Sequence, residues 1–440
     1  MIYHDRYMDI YSANLPESDI NFLKTLVRHG IKLGLDNINI ILQNVDYPQR
    51  KFFSVHVGGT NGKGSAVAYI DSIFRQQGIC VGKFISPHLI DLAERFQING
   101  IPISAEELHE EIVFFKNLVE RKNILPTFFE FCTAIAFHWF ALQKVDWAVI
   151  EVGMGGRFDS TNVIIPEACA ITNIGLEHTQ YLGDTLEKIA REKAGIIKRN
   201  VPVVTGETNP ETVKVFQDYA KKMNAPLWQI DKDFHVQWLK SGEITKITYQ
   251  SPVREIKDAP TRLDASYQRE NAGVALAVID WLTQKGIPIN EDAITQGLAN
   301  AYWPGRFDLV SKSPWVLLDS AHNPDGMKRL VENIDKVTIV LSVADDKDIQ
   351  GIVKALTSHT EEFIITQFYG KRAMPVEKIK EQVALTGIPY VVESDFYSAL
   401  SLGWQKAQSA RKLLIAGSIY AVGQTYEWLI QKGILDKIKY

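Results

Sequence analysis

Gly58-Gly59-Thr60-Asn61-Gly62-Lys63-Gly64-Ser65 is the stretch on which the fold turns. It follows Phe52 to Val57, which reads as a strand, and precedes Ser65 to Gln77, which reads as a helix. Glycines let successive backbone N–H groups turn toward one point, and the N-terminus of the following helix adds partial positive charge there. Lys63 brings a full charge suited to the β- and γ-phosphates of a nucleotide, and Ser65 a hydroxyl suited to Mg²⁺. The stretch departs from the general phosphate-loop pattern, because Gly64 separates Lys63 from Ser65 and position 57 is Val. The competing reading is a glycine-rich turn with a solvated lysine. The order strand, loop, helix favours the phosphate loop.

The same texture continues outward. Trp147 to Val152 and Ala168 to Thr172 are short apolar runs, the first followed by glycines. After about residue 300 the pattern restarts with Trp315 to Leu318, Val337 to Val343, Phe363 to Thr366, Tyr390 to Val392 and Leu413 to Ala416. Buried runs alternating with helix-like segments argue for an α/β fold with parallel sheets. Trp303-Pro304-Gly305 cannot continue a helix and marks the expected boundary. The expected domains are a phosphate-loop-containing ATPase domain over residues 1–302 and a smaller Rossmann-like domain over 303–440.

Whole-chain properties narrow the class. The chain has 440 residues, 46% apolar and 23% charged, with a net charge of −4. That balance gives no reason to expect general affinity for nucleic acid or for anionic membranes. No apolar run approaches the roughly 18 residues of a spanning helix, and Met1 to Ile10 has no apolar signal core. Cys80, Cys132 and Cys169 are too widely spaced for a disulfide frame or a zinc site. A cytoplasmic enzyme, monomeric and without nucleic-acid or membrane partners, is expected.

Three residues outside the loop draw notice. Glu151 ends a strand ahead of Gly153, Gly155 and Gly156, a placement suited to holding Mg²⁺ beside a phosphate loop. His178 lies in a loop and on its own reads as a hydrogen-bonded structural histidine. Lys193 sits in the apolar stripe of an expected helix, capped by Asp184 and running toward Lys198 through Leu186, Ile189, Ala190 and Ile197. A lysine there must snorkel, find an acid such as Glu151, or lose its charge.

The variant GTNGKGS resembles the phosphate loop of the Mur ligase superfamily. With only 57 residues before Gly58, the chain is similar to its folylpolyglutamate synthase/dihydrofolate synthase branch, whose members begin close to the loop. Further segments match that branch in order: Ser86-Pro87-His88-Leu89, Glu94-Arg95, Thr127 to Glu130, Glu151 to Asn162, Ile171 to Thr179, Glu192 to Lys198, Pro304-Gly305-Arg306, Leu318 to Pro324 and Ala416 to Tyr420. The resemblance implies an ATP-dependent ligase that joins L-glutamate to a folate carboxylate through an acyl phosphate. It implies ATP as co-substrate, Mg²⁺, and K⁺ as an optional further ion.

Residue by residue, the resemblance places Gly59, Thr60, Asn61, Gly62, Lys63, Gly64 and Ser65 on the nucleotide, joined by Asn271, Arg306 and Asp319. Tyr267 stands where the family usually has His before Gln268. The metal set is Ser65, Ser86, Glu151, His178 and Lys193, the last as a carbamate formed with CO₂. Lys63, Lys193 and His322 would act at the reaction centre. Lys32, Leu33, Gly34, Leu35, Thr127, Phe129, Phe158 and Ser160 would line the folate side, and His322, Ser418 and Tyr420 the glutamate side. Asp319 as a helix cap, and Arg306 paired with Asp308, are the plain alternatives. Ile85 stands where bifunctional members can place a small polar residue, and Phe158-Asp159-Ser160 replaces the family's commoner Leu-Asp-Ala, which leads to an expectation of folate over dihydropteroate. Two rivals from other classes are a phosphate-loop ATPase switch and a non-catalytic nucleotide sensor.

Overall fold

The protein is seen here as a computed structural model describing residues 15–30, 32, 34–241, 244–409 and 411–438. It divides into two compact units. The larger carries an eight-stranded sheet in the order β4-β3-β2-β5-β1-β6-β7-β8. Its strands are β1 (Phe53–Gly58), β2 (Val81–Phe84), β3 (Phe96–Ile98), β4 (Ile101–Pro102), β5 (Trp147–Glu151), β6 (Ala168–Ile171), β7 (Val203–Thr205) and β8 (Leu227–Gln229). The run from β2 to β8 is parallel, and β3 and β4 add an antiparallel edge. Central β1 is flanked on both sides, with Val57 beside Glu151 and Val55 beside Ala168. Because both faces are covered, β1 and β5 are buried almost throughout; β5 reads as an apolar run up to Glu151, whereas β1 buries the polar Ser54 and His56 between its valines.

The helix after the phosphate loop spans Lys63–Gln76 and packs on the helices Gln268–Gln284 and Glu291–Asn300. It starts two residues before the expected Ser65, so Lys63 itself opens the first turn. A second sheet, β9 (His235–Ser241), β10 (Ile244–Gln250) and β11 (Glu255–Thr261), is antiparallel and departs from the expected α/β alternation. Its middle strand turns Thr245, Ile247 and Tyr249 inward, the period-two pattern of a sheet with one dry face.

The expected helix over Asp184 to Lys198 is shorter than its apolar stripe suggested. Thr185 is the cap, its Oγ1 accepting from the Lys188 N–H at 3.2 Å, while Asp184 pairs with the Lys188 ammonium at 2.8 Å. The α-helix runs Leu186–Lys193 and gives way to a 3₁₀ turn, Ala194–Ile196. Gly195 explains the break: a Cβ there would lie 2.4 Å from Arg157 Cβ, so the chain passes Arg157 too closely for an ordinary helical residue.

The smaller unit holds the chain from Trp303 onward together with Leu89–Asp91. Its sheet order is β12-β13-β17-β14-β15-β16. The strands are β12 (Asp308–Lys312), β13 (Trp315–Asp319), β14 (Val337–Leu341), β15 (Thr360–Ile365), β16 (Tyr390–Val392) and β17 (Leu413–Ala416). All neighbours are parallel except β12 with β13. Alternation along the strands feeds two cores. Val316, Leu318, Val340 and Ile415 face Phe396–Gln408 and Ile419–Gln431 on one side; Leu317, Ile339, Leu341 and Leu414 face Pro324–Val331, Ile349–Leu356 and Val376–Ala384 on the other. This is a doubly wound sheet, whose ligands gather at the carboxyl ends of the strands.

Candidate active site

The phosphate loop is held by the segment that follows β6. The Thr60 N–H donates to the Asn173 carbonyl at 2.8 Å and the Asn61 N–H to Asn173 Oδ1 at 2.9 Å. Thr172 Oγ1 donates to the Asn61 carbonyl at 2.6 Å, and the Gly175 N–H donates to Thr60 Oγ1 at 2.9 Å. Two loop glycines are sterically required. Gly59 has φ +137°, and a Cβ on it would sit 1.9 Å from Thr172 Oγ1. Gly62 has φ +84°, and its Cβ would sit 2.1 Å from Asn271 Oδ1, which puts Asn271 directly against the loop. Lys63 Nζ donates to the Gly59 and Thr60 carbonyls, each at 3.0 Å, and Ser65 is buried in the first helical turn.

Lys193 converges on the same loop. Its Nζ donates to the Gly59 carbonyl at 2.7 Å and to Glu177 Oε1 at 3.1 Å, and the residue is 1% exposed. The acid that meets it is therefore Glu177, not Glu151. Burial pushes the Lys193 ammonium down to about 8, with Glu177 opposing the shift and Lys63 adding to it. Burial alone would raise the Glu177 carboxyl, but Lys193, Lys63 and His178 together hold it below the usual carboxylate range. His178 has left-handed φ of 48° at the N-terminus of the helix Thr179–Leu182. On the other side of β1, Glu151 is buried at the end of β5, and its Oε2 accepts the Ser86 N–H at 3.0 Å. The structure thus joins Lys63 with Lys193, and Ser86 with Glu151.

The two expected folate segments also meet. Lys32 Nζ and Asn37 Nδ2 each donate to the Leu125 carbonyl at 3.1 Å, and His29 Nδ1 donates to the Pro126 carbonyl at 2.7 Å. Thr127 caps the helix Phe128–Leu142, its hydroxyl and Glu130 forming a reciprocal capping box. Gly34 and Leu35 lie on the first of these segments, while Leu33 falls outside the described residues. Phe129 stacks on Phe84, ring centres 5.8 Å apart, and closes over Gly153. Ser160 Oγ bonds Thr133 Oγ1 at 2.6 Å, whereas Phe158 is half exposed. Ile85 is buried.

In the smaller unit, Asp319 Oδ2 accepts the Phe307 N–H and Oδ1 the Ala321 N–H, both at 2.7 Å. The helix Pro324–Val331 is capped by Asn323, so Asp319 clamps the loop rather than capping a helix. Asp308 accepts from the Tyr426 hydroxyl and the Gly305 N–H. His322 Nδ1 donates to the Ser320 carbonyl at 2.9 Å, which leaves Nε2 as the basic nitrogen of the neutral ring. The Gly417 N–H donates to the Ala321 carbonyl, bringing the His322 loop beside Ser418 and Tyr420.

Comparison with known proteins matches this arrangement twice. Residues 57–279 fit the Mur ligase middle domain and residues 305–419 the Mur ligase glutamate ligase domain. A dihydrofolate synthase/folylpolyglutamate synthase of Bacillus subtilis is 35% identical over 411 residues, 90% of this chain and 95% of that protein. The chain belongs to the folylpolyglutamate synthase/dihydrofolate synthase family of Mur ligases. Among solved members, the Thermotoga maritima folylpolyglutamate synthase superposes with a TM-score of 0.83 at 33% identity, covering 95% of this chain and 98% of that one. Escherichia coli FolC in complex with DHPP and ADP gives 0.85 at 28%, covering 94% and 98%.

Within this Mur ligase frame, reading the sequence residue by residue missed Thr172, Asn173 and Glu177. All three lie in the segment Ile171 to Thr179, where a Thr-Asn pair directly after a strand was the available signal. Their role is visible only once β6 is seen beside β1. Among the described residues, no three His, Cys, Asp or Glu side chains gather into a metal-binding group. The expected metal set contains only Glu151 and His178 of those types; its other members are two serines and a lysine.

Proposed function

We propose that this chain joins L-glutamate to the γ-carboxylate of a reduced folate, with ATP consumed to ADP and phosphate. ATP-dependent glutamate ligation is the activity of the family, and E. coli FolC holds ADP in its solved complex. The observation that carries the reading is Lys193, a buried lysine whose Nζ lies 2.7 Å from the carbonyl of phosphate-loop Gly59. A switch or a sensor needs the loop but has no use for a second buried cation on it.

The folate carboxylate attacks the γ-phosphate of ATP. Charge gathers on the phosphoryl oxygens, where Lys63 and the loop N–H groups stabilise it. Binding of the phosphates competes with the Gly59 and Thr60 carbonyls for the Lys63 ammonium, so the lysine need only swing within its own turn. The amine of glutamate then attacks the acyl phosphate and phosphate leaves. The basic Nε2 of His322 is suited to taking the proton from that amine. The hydroxyls of Ser65 and Ser86 and the carboxylate of Glu151 are hard oxygen donors that suit Mg²⁺. His178 and Lys193, the latter as a carbamate, would complete the set. Bound there, Mg²⁺ would neutralise charge on the transferring phosphoryl group. A lysine near 8 has a substantial neutral fraction at neutral to mildly basic pH, and the neutral amine is the form CO₂ attacks.

A second reading, that the chain also joins glutamate to dihydropteroate, is favoured by the bifunctional B. subtilis relative and by the bound DHPP of the E. coli one. Against it stand buried Ile85 beside Ser86, which offers no hydroxyl, and Phe158 in place of a smaller side chain. A buried polar partner lost discriminates far more than a methylene gained. The test is product formation by the purified chain with ATP, glutamate and either tetrahydrofolate or dihydropteroate. Glutamylated tetrahydrofolate at a kcat/KM well above that for dihydropteroate is expected. Comparable values would make the enzyme bifunctional, and ATP hydrolysis without any amide product would make it a switch.

A further inference from the structure

The peptide unit between Asn173 and Ile174 has the phosphate loop on one edge and a buried carboxylate on the other. Its carbonyl accepts the Thr60 N–H at 2.8 Å. The unit is trans, so its N–H points the opposite way. There the Ile174 N–H donates to Glu207 Oε2 at 2.6 Å. Glu207 lies just past β7, two strands from β1 in the sheet, and is buried. Its other oxygen, Oε1, accepts the Thr208 N–H at 2.9 Å and the Asn209 N–H at 2.8 Å, at the entry to the helix Pro210–Lys222.

The carboxylate is fixed from behind as well. The Glu207 N–H donates to Thr205 Oγ1 at 3.1 Å, and that hydroxyl donates to the Ile171 carbonyl at 2.9 Å. The Gly206 N–H donates to the same carbonyl at 3.2 Å, and a Cβ on Gly206 would sit 2.7 Å from the Thr172 carbonyl oxygen. The end of β7 is thus pressed against the segment that holds the phosphate loop. A hydrogen bond to a carboxylate is roughly twice as strong as one between neutral groups, and bonds in a chain polarise one another. The chain here runs from Glu207 through one rigid amide plane to Thr60. Asn173 and Gly175, on either side of Ile174, both bond the loop, so the tilt of that plane reaches Thr60 and Asn61 together.

We propose that Glu207 is a positioning residue for the nucleotide, acting through the Asn173–Ile174 peptide to hold Thr60 and Asn61 in the form that receives phosphate. The proposal rests on the reading of Gly58 to Ser65 as the ATP phosphate loop and extends it to a residue two strands away. The plain alternative is that Glu207 only secures the start of the helix Pro210–Lys222. Glutamine separates the two roles, because it has the same shape but one acceptor oxygen. Turned to keep the bonds from Thr208 and Asn209, it aims its NH₂ at the Ile174 N–H, donor against donor.

The experiment titrates the full chain with ATP in the presence of Mg²⁺ and measures steady-state KM values for ATP, tetrahydrofolate and glutamate. It compares the wild type with Glu207→Gln, Glu207→Asp and Asn209→Ala, each checked by thermal melting. Loss of one net hydrogen bond to a charged group should raise the ATP Kd and KM of Glu207→Gln about ten-fold. The folate and glutamate KM values should stay within about two-fold. Glu207→Asp keeps the charge with a shorter reach and should lie between, which gives a second reading should the glutamine variant fold poorly. Asn209→Ala removes the helix cap, whose Oδ1 accepts the Glu211 N–H at 2.9 Å, and leaves the Ile174 bond intact. It should lower the melting temperature by about 2–4 °C with an unchanged ATP Kd. An unchanged ATP Kd in both Glu207 variants, KM values for all three substrates rising together, or an equal loss of ATP affinity in Asn209→Ala overturns the proposal. A wild type that binds no ATP sinks the phosphate-loop reading itself, before any variant is measured.

Discussion

His56 should make this protein acid-sensitive in a way that one substitution removes. It lies fully buried on β1, with Nε2 2.8 Å from Thr161 Oγ1. The Thr161 hydroxyl donates onward to Asp159, so it accepts from His56 and fixes the proton on Nε2. Nδ1 is buried with no hydrogen-bond partner. A second proton would have to sit there, as a charged donor facing no acceptor. Burial, reinforced by Lys198, accordingly lowers the imidazole from its ordinary 6.5 to about 3. Between those values the unfolded chain binds the proton and the folded one does not, so stability rises with pH across that window and is lost as pH falls through it. Linkage from 6.5 and about 3 gives a loss of about 2 kcal/mol at pH 5 relative to pH 8 from this residue. The assay is urea unfolding of the wild type and of His56→Gln at both pH values, with amide exchange of β1 as a second reading. His56→Gln will be less stable at pH 8, but the gap between the two proteins should narrow by about 2 kcal/mol at pH 5. A gap that stays constant would refute the argument, because every other titrating group is common to both proteins.

Three further outcomes follow from the site. Lys63→Ala should keep its fold and lose on the order of 10²–10³ in turnover, since its ammonium hydrogen-bonds the Gly59 and Thr60 carbonyls of the loop rather than anchoring the core; near-normal turnover of the purified variant would show the loop misread. If Lys193 acts as a carbamate, Lys193→Ala should lose most activity and regain part of it with added acetate, which would stand in for the carbamate oxygen. Absence of rescue, together with a bare amine by mass at saturating bicarbonate and Mg²⁺, would leave the Glu177 ion pair as the whole role of Lys193. Gly62→Ala should cost about 1–2 kcal/mol of stability for its left-handed backbone and weaken nucleotide binding by displacing Asn271, so an unchanged ATP titration would count against Asn271 as a nucleotide contact.

What could be read from the sequence was whatever repeats a simple period. The parallel strands β5, β6, β14 and β17 are short and dry on both faces, so each announces itself as a largely apolar run. β2 does not, because Val81-Gly82-Lys83-Phe84 hides a lysine in the core. Lys83 is tolerated there only because Asp71, from the helix after the phosphate loop, comes within 3.4 Å, and Gly82 is required because the Phe140 ring lies on it. Neither partner is close in sequence. The same limit applied at Lys193. Its place in an apolar stripe left it to snorkel, find an acid or lose its charge, but the acid it meets, Glu177, sits 16 residues earlier in a loop, where no periodicity points to it. The helix was read too long because Gly195 was judged by its neighbours in sequence, whereas its conformation is set by Arg157. The loop Gly58 to Ser65 was the opposite case, since its constraints are local and written in the glycines themselves.

The membership of Leu89–Asp91 in the smaller unit bears on how the chain is made. Leu89 is buried among Val316, Leu318, Tyr420 and Val422, and its carbonyl passes so near Gly423 that a Cβ there would lie 2.1 Å away. A ribosome delivers Leu89 long before any of these partners. The roughly 210 residues separating it from Trp303 take about 10–40 s to synthesise at ordinary rates. Throughout that interval a leucine and an isoleucine, three and four residues past Ser86, have nowhere to go. The larger unit can assemble its sheet in the meantime, but the segment Leu89–Asp91 waits for the C-terminus. Burial of that segment is thereby tied to completion of translation, and a prematurely terminated chain would carry it as an exposed apolar flag.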